Sequence, residues 1–152
     1  CGTDQRPSFR SISRDEAIDC ILKWHYAGQL NRGQHFYGAE NNTQLIACAV
    51  FDDTKYRPER ITEFMACGKD SLIPNRIFQM SQLMAYACKQ LRSQYDLVLS
   101  YCELHRSGSI FKGASWNYSG HGAIYHEYWK ALNPSGVRLA CQLNLKSLKY
   151  PT

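Results

Sequence analysis

The stretch YDLVLSYC at residues 95–102 decides the fold, together with GSIFKGASW at residues 108–116. The first stretch is an unbroken run rich in apolar residues, which is typical of a β-strand buried on both faces. The second has the length and composition of a short helix. A buried strand followed directly by a helix is the repeating unit of α/β proteins.

A longer helix is predicted before this strand, over residues 75–92. Its apolar residues recur at helical spacing, as expected for a helix with one buried face. They are Ile77, Met80, Met84, Ala87, Cys88 and Leu91.

Three strands are predicted further upstream, at residues 34–37, 44–51 and 60–67, with a turn at residues 40–43 between the first two. Before them, Ser13 and Glu16 have the spacing of a capping box. We therefore expect a first helix that begins at Ser13, continues through Trp24-His25-Tyr26 and stops at Gly28.

Downstream, residues 121–129 form an aromatic tail, and residues 137–148 are predicted to be a last strand. Residues 1–10 are predicted to be an irregular arm. The order is helix, three strands, long helix, strand, short helix and strand. It predicts one α/β domain over residues 1–152, with a mixed, mostly antiparallel central sheet flanked by helices.

The composition is that of a globular protein: 44% of the 152 residues are apolar and 20% are charged. The formal net charge of +5 favours acidic partners such as nucleic acid or an anionic cofactor. No apolar run has the length of a membrane helix, so a soluble protein without a membrane partner is expected.

The seven cysteines are spread along the chain and never form a C-x-x-C pair. This spacing argues against a zinc knuckle and against a disulfide framework. Most of them lie in apolar runs, where a free cysteine behaves as a small buried apolar residue. A reducing cytosol is therefore expected.

Three segments resemble known families. IFKGASWNYSG at residues 110–120 is similar to the signature of GNAT acyltransferases, which also have the predicted order of elements. LKWHYAG at residues 22–28, and VLSYCE at residues 98–103 with Gly108, resemble elements of the phage Mu Mom family of DNA-adenine modifiers. The similarity covers roughly residues 11 to 122.

The resemblance to Mom-like proteins implies an enzyme with a GNAT-like fold that uses acetyl-CoA and has been linked to iron. It implies conversion of the exocyclic amine of adenine in double-stranded phage DNA to a methylcarbamoyl (acetamido) derivative, which protects the DNA from restriction in the cytoplasm of the bacterial host. Two positions depart from the pattern. Glu103 stands where the family usually has aspartate, and Ala66 stands where it has arginine.

Adenine modification requires a base that removes a proton from a weakly nucleophilic amine. Glu103 leaves the carboxyl end of the predicted buried strand, where ligands bind in open α/β sheets. Tyr101 shares its face of the strand, whereas Ser100 faces the other way. His25 and Tyr26 close the first helix. These four residues are the catalytic candidates, and His25, Tyr26 and Glu103 are candidate ligands for a metal ion.

Phosphates of acetyl-CoA are expected at the start of the long helix, where free backbone amides and the helix dipole favour an anion. The candidates are Asn75, Arg76, Ile77 and Phe78, and Ser109 is a further one. The glycines usual in a GNAT phosphate loop are missing. The alternative is that Pro74-Asn75 only begins a helix.

DNA would be contacted by basic residues at phosphates and by aromatic residues that stack on a displaced base. The alternative is that the charges are solvated and the aromatic rings belong to the core. The basic candidates are Arg6, Arg10, Arg14, Lys23, Arg32, Lys55, Arg57 and Arg60. The aromatic candidates are Tyr37, Trp116, Tyr118 and Trp129.

Two other functions compete with DNA modification. The chain could be a GNAT N-acetyltransferase acting on a small amine or a protein, or a DNA-binding module without catalytic activity. The sequence leaves the oligomeric state open, a homodimer included.

Overall fold

The computed structural model describes residues 8–24, 33–41, 43–53, 61–68, 80–105 and 108–151. Contacts between Cα atoms divide the chain into two compact units. The first consists of Cys1–Asp52 and Met65–Ala87, and the second of Asp53–Phe64 and Cys88–Thr152.

The helices and strands alternate along the chain as the α/β prediction requires. Their order is β1 (Ser8–Ser11), α1 (Arg14–Trp24), β2 (His35–Asn41), β3 (Gln44–Asp53), β4 (Ile61–Gly68), α2 (Met80–Leu91), β5 (Leu97–Glu103), α3 (Ser109–Gly113), β6 (Asn117–His121), β7 (Tyr125–Ala131) and α4 (Pro134–Gln142).

In the first unit, β1 pairs antiparallel with β2, and β2 pairs antiparallel with β3. The prediction of an irregular arm over residues 1–10 is wrong for residues 8–10, because β2 offers the hydrogen-bonding partners for a strand there. Ser8 lies opposite Glu40, and Ser11 lies opposite Tyr37. Residues 1–7 lie outside the described residues.

The predicted capping box at the start of α1 is confirmed. The Ser13 amide donates to Oε1 of Glu16, and the Glu16 amide donates to Oγ of Ser13, both at 3.1 Å. The helix buries Ala17, Cys20 and Ile21 in an apolar cluster that also contains residues of β3. The part of the predicted helix beyond Trp24 lies outside the described residues.

Arg10 ties β1 to both neighbouring elements. Its Nη2 lies 2.7 Å from Oε2 of Glu16, and its Nε lies 3.0 Å from Oε2 of Glu40. The hydrogen bond from Arg10 is the main cause that lowers the pKa of Glu16 to about 2. Strand β1, which the sequence did not predict, is thus held in place by side-chain contacts to residues of α1 and β2.

In the second unit, β5 lies between two other strands. It pairs in parallel with β4, where Ile61 lies opposite Leu97, and antiparallel with β7. Strand β7 pairs antiparallel with β6. The predicted aromatic tail is therefore part of the β-hairpin of β6 and β7. Strand β5 provides a partner along the whole length of β7.

The strand predicted for residues 137–148 is wrong, since residues 134–142 form helix α4. The Asn133 side chain caps the helix by accepting a 3.0 Å hydrogen bond from the Gly136 amide, and Pro134 occupies the first turn. Asn133 and proline are typical of a helix start. Ala140 on this helix packs against Leu97 of β5.

Cys20, Cys48, Cys88 and Cys102 are buried, as expected for cysteines that pack as small apolar residues. Burial raises the pKa of Cys88 to about 12. Among the described residues, no helix is both long and apolar enough to span a membrane.

Candidate active site

Strand β5 carries two different faces. Ser100 and Cys102 are buried, whereas Tyr101 is 43% exposed and Glu103 is half-buried. This alternation confirms that Tyr101 and Glu103 share a face and that Ser100 points the opposite way. The prediction of a strand buried on both faces is wrong at its carboxyl end, because α4 packs only near Leu97 and Leu99.

The Glu103 carboxylate has a histidine partner that the sequence analysis missed. Nε2 of His105 lies 3.2 Å from Oε2 of Glu103. The glutamate side chain is 31% exposed and the histidine side chain 71%. Glu103 is thus a carboxylate at the end of a strand, open to solvent and oriented by an imidazole in the following turn.

Strand β7 adds a second tyrosine to the same region. Tyr125 lies opposite Glu103 in the antiparallel register. Its ring lies 6.3 Å from the ring of Tyr101 in an edge-to-face arrangement, and it is 44% exposed. Tyr125 was not among the predicted site residues, because only the strand pairing brings it to Glu103.

A buried histidine supports the turn that follows β5. Nε2 of His126 lies 3.2 Å from the Leu104 carbonyl, and Nδ1 lies 2.8 Å from the Tyr118 hydroxyl. A carbonyl only accepts, so Nε2 carries the proton, and Nδ1 accepts the hydrogen bond that Tyr118 donates. Burial raises the pKa of Tyr118.

The residue before helix α3 is a glycine that no other residue replaces easily. Gly108 has φ +65°, and a Cβ atom there would lie 2.3 Å from the Tyr128 hydroxyl. The Tyr128 ring stacks on Phe111 at 4.3 Å. Burial is the main cause that raises the pKa of Tyr128 to about 12. Ser109 is the first residue of this helix, and its side chain lies outside the described part.

The two buried tyrosines give a matched pair of predictions. Tyr118→Phe is expected to lower the free energy of unfolding by about 1–3 kcal/mol, because it leaves Nδ1 of buried His126 without its donor. Tyr128→Phe is expected to leave stability unchanged or raise it by up to about 1 kcal/mol, since its buried hydroxyl has no hydrogen-bond partner among the described residues.

Urea denaturation of both variants and the wild-type protein measures these changes. Each substitution removes a single oxygen from a buried ring, so the two variants control for each other. Equal losses of stability in the two variants would contradict the assignment of the hydrogen bonds.

Several predicted site residues lie outside the described residues. They are His25, Tyr26, Asn75, Arg76, Ile77 and Phe78. Of the predicted catalytic set, the structure therefore brings together only Tyr101 and Glu103. No group of three His, Cys, Asp or Glu side chains that could hold a metal ion occurs in the described part of the chain. The iron site stays a prediction.

Three of the four aromatic residues predicted to stack on a displaced base are packed inside the protein. Tyr37, Trp116 and Tyr118 are at most 8% exposed. Nε1 of Trp129 donates a 2.8 Å hydrogen bond to the Lys146 carbonyl. The prediction is therefore wrong for the three buried rings, because their faces are covered by the core and no base reaches them without repacking.

Some of the predicted basic contacts to DNA are engaged within the protein. Arg10 forms the two carboxylate bridges described above. Lys23 lies 2.9 Å from Asp19. Arg14 donates to the Gly33 carbonyl at 3.4 Å. The remaining candidates lie outside the described residues: Arg6, Arg32, Lys55, Arg57 and Arg60.

The structure is similar to solved structures of acetyltransferases. A GNAT family N-acetyltransferase (YhbS) from Escherichia coli, in complex with CoA, aligns with a TM-score of 0.69 and 9% identity over 90% of this chain and 87% of that one. An acetyltransferase from Bacillus subtilis, also in complex with CoA, aligns with a TM-score of 0.61 and 15% identity, covering 84% of this chain and 99% of that one.

A spermidine/spermine N-acetyltransferase, SpeG from Vibrio cholerae, aligns with a TM-score of 0.65 and 8% identity over 89% of this chain and 99% of that one. The sequence matches no protein-family model and no curated protein. The chain therefore has the GNAT fold, and the predicted α/β fold with a mixed, mostly antiparallel sheet flanked by helices is confirmed.

Proposed function

We propose that the chain is an N-acyltransferase that moves an acetyl group from acetyl-CoA to an amine. The observation that carries this proposal is the pair of Tyr101 and Glu103, exposed together at the carboxyl end of β5 in a GNAT fold. Ligands bind at this end of the strands in open α/β sheets.

The pair supplies the two proton transfers that the reaction needs. The Glu103 carboxylate takes a proton from the amine, whose nitrogen attacks the thioester carbonyl. The C–N bond forms, the C–S bond breaks, and the leaving thiolate takes a proton from the Tyr101 hydroxyl. His105 lies on Oε2 of Glu103, so we assign the proton to Oε1.

The phosphates of CoA are assigned, from the sequence alone, to residues 75–78. The backbone amides of residues 75–78 and the guanidinium of Arg76 are donors that suit the phosphates of CoA. Acetyl-CoA supplies an activated acetyl group when bound. Ser109 at the start of α3 is the other residue predicted for the cofactor, whereas His25 and Tyr26 stay predicted catalytic residues.

One candidate acceptor is the exocyclic amine of adenine in double-stranded DNA. The LKWHYAG element, which resembles Mom-like proteins, and the net charge of +5 support it. A methylcarbamoyl product contains an amide nitrogen that the acetyl group of acetyl-CoA lacks, so this product requires a nitrogen donor and a two-electron oxidant as well. Such a modification would protect phage DNA in the cytoplasm of a bacterial host.

The other candidate acceptor is a small amine or an amine of a protein. Two observations favour it: the described aromatic rings predicted to stack on a base are mostly buried, and carboxylates surround the exposed tyrosines. The structurally similar SpeG is a spermidine/spermine N-acetyltransferase. A DNA-binding module without activity would leave Tyr101 and Glu103 without a role.

Mass spectrometry of nucleosides from cells that express the chain separates the two acceptors. His25→Ala and Glu103→Gln variants serve as controls. An adenine carrying an acetyl or methylcarbamoyl group, absent from both controls, would support the DNA acceptor. Unmodified DNA from well-expressed, folded protein would contradict it, and acetylated small amines in the same extract would then support the second acceptor.

A further inference from the structure

Two tyrosines and two glutamates alternate on the open face of β5 and β7. Tyr101 lies opposite Glu127, and Glu103 lies opposite Tyr125. The tyrosines occupy one diagonal of this square and the glutamates the other. We call these four residues the aromatic–acidic face. Both tyrosines and Glu127 are exposed, and Glu103 is half-buried.

This face is unusual in the described part of the chain. Tyr101 and Tyr125 are the large aromatic side chains exposed there, and they contact each other. Leu104 and Ile124, 40% and 63% exposed, are the chain neighbours of Glu103 and Tyr125 at this end of the two strands. Their backbones are joined by a 3.2 Å hydrogen bond. Contiguous exposed apolar surface of this kind marks a binding site more often than isolated apolar residues do.

The charge around the rings selects the ligand. A cation gains energy over the face of a tyrosine ring, and it gains again from a nearby carboxylate. A phosphate would instead be repelled by Glu103 and Glu127. The combination of two electron-rich rings and two carboxylates is therefore complementary to a protonated amine and unfavourable for the backbone of DNA.

We propose that the aromatic–acidic face binds a flexible, multiply charged amine, a linear polyamine, as the acceptor of the acyl group. The inference rests on the proposed function, because it names the substrate class of that site. Glu127 and the two rings hold an ammonium group that does not react. Glu103 faces the nitrogen that is acetylated.

The geometry of the strands suits this division of roles. Glu103 and Glu127 are diagonal neighbours across an antiparallel pair, a separation of about 7–8 Å between Cα atoms. Adjacent nitrogens of a polyamine are separated by a short methylene chain of similar span. One nitrogen releases its ammonium proton to solvent, attacks the thioester and loses a second proton to Glu103. The other nitrogen keeps its proton and stays on Glu127.

Calorimetric titration of the whole protein with spermidine, without acetyl-CoA, tests the binding step. Glu127→Gln keeps the shape of the side chain and removes its charge, and Tyr125→Leu removes the ring. Each is expected to weaken spermidine binding about three- to five-fold. Asp15→Asn is the control, since it removes one exposed carboxylate from α1 and is expected to leave binding unchanged.

Unchanged binding in Glu127→Gln, or an equal loss in Asp15→Asn, would overturn the inference. Thermal melting of each variant identifies any that fail to fold. If Tyr125→Leu fails to fold, the isosteric Glu127→Gln still decides the test.

A second measurement separates this inference from the proposed function. Steady-state acetyl transfer to spermidine should show a KM raised three- to five-fold in Glu127→Gln with an unchanged kcat. Variant-sensitive spermidine binding without any acetyl transfer would contradict the proposed function and leave the binding site standing. Acetyl transfer to spermidine that neither Glu127→Gln nor Tyr125→Leu changes would contradict the polyamine site and leave the proposed function standing.

Discussion

Replacing Glu103 by glutamine is expected to lower kcat for acetyl transfer by about 10²–10⁴. Glutamine keeps the size of the side chain and a hydrogen-bonding oxygen, but it cannot take a proton from the amine. The loss should fall mainly on kcat, because Glu127 and the tyrosine rings still hold the acceptor. Steady-state kinetics with spermidine or the best amine found checks this result.

Glu103→Asp is the matched control. It keeps the carboxylate while shortening its reach, and Mom-like proteins usually have aspartate at the matching position. We expect it to retain activity within about ten-fold of the wild-type value. A Glu103→Gln variant that changes only KM would show that this carboxylate binds the acceptor without acting as a base.

Replacing Gly136 by alanine is expected to destabilise the second unit by about 3 kcal/mol, the upper range for an overpacked core. A Cβ atom there would lie 1.9 Å from the Asp96 carbonyl oxygen and 3.1 Å from Cα of Ala131. Both contacts are with backbone atoms, so no side-chain rotation relieves them. The start of α4 must therefore move away from β5 and β7.

Gly122→Ala controls for the change of glycine to alanine itself. Nothing lies within 4 Å of a Cβ atom at this position in the turn between β6 and β7. Thermal melting should show a fall of roughly 6–12 °C for Gly136→Ala and little change for Gly122→Ala. Similar melting temperatures for the two variants would contradict the close packing of α4 on Asp96.

The parts of the fold that depend on neighbouring residues were predictable from the sequence. The Ser13 and Glu16 capping box is a contact across three residues, and the structure forms it as expected. The strand at residues 97–103 and the short helix after it follow from local composition. The shared face of Tyr101 and Glu103 follows from the alternation of a strand.

The errors have two physical causes. Strands β1 and β7 form because they pair with β2 and β5, which lie far along the chain. The local sequence of β1 and β7 does not predict this pairing. In α4, by contrast, the signal was present. Asn133 and Pro134 are typical of a helix start, but the frequent apolar residues after them were interpreted as a strand.

The site was predictable only in part, for the same reasons. Tyr125 and Glu127 reach the end of β5 through strand pairing, which the sequence analysis did not predict for the tail. His126 and Tyr118 form a buried pair within one hairpin, and their contact depends on its register. The stacking candidates failed because aromatic residues alone do not indicate whether a ring is exposed or buried.

Transfer of an acetyl group from acetyl-CoA to an amine can be measured directly. Purified protein is incubated with acetyl-CoA labelled in the acetyl group, and with either spermidine or DNA. We expect labelled acetyl on an amine nitrogen, one free thiol of CoA released for each acetyl transferred, and loss of both in Glu103→Gln. Folded wild-type protein that neither labels an acceptor nor releases the thiol would contradict the proposed function.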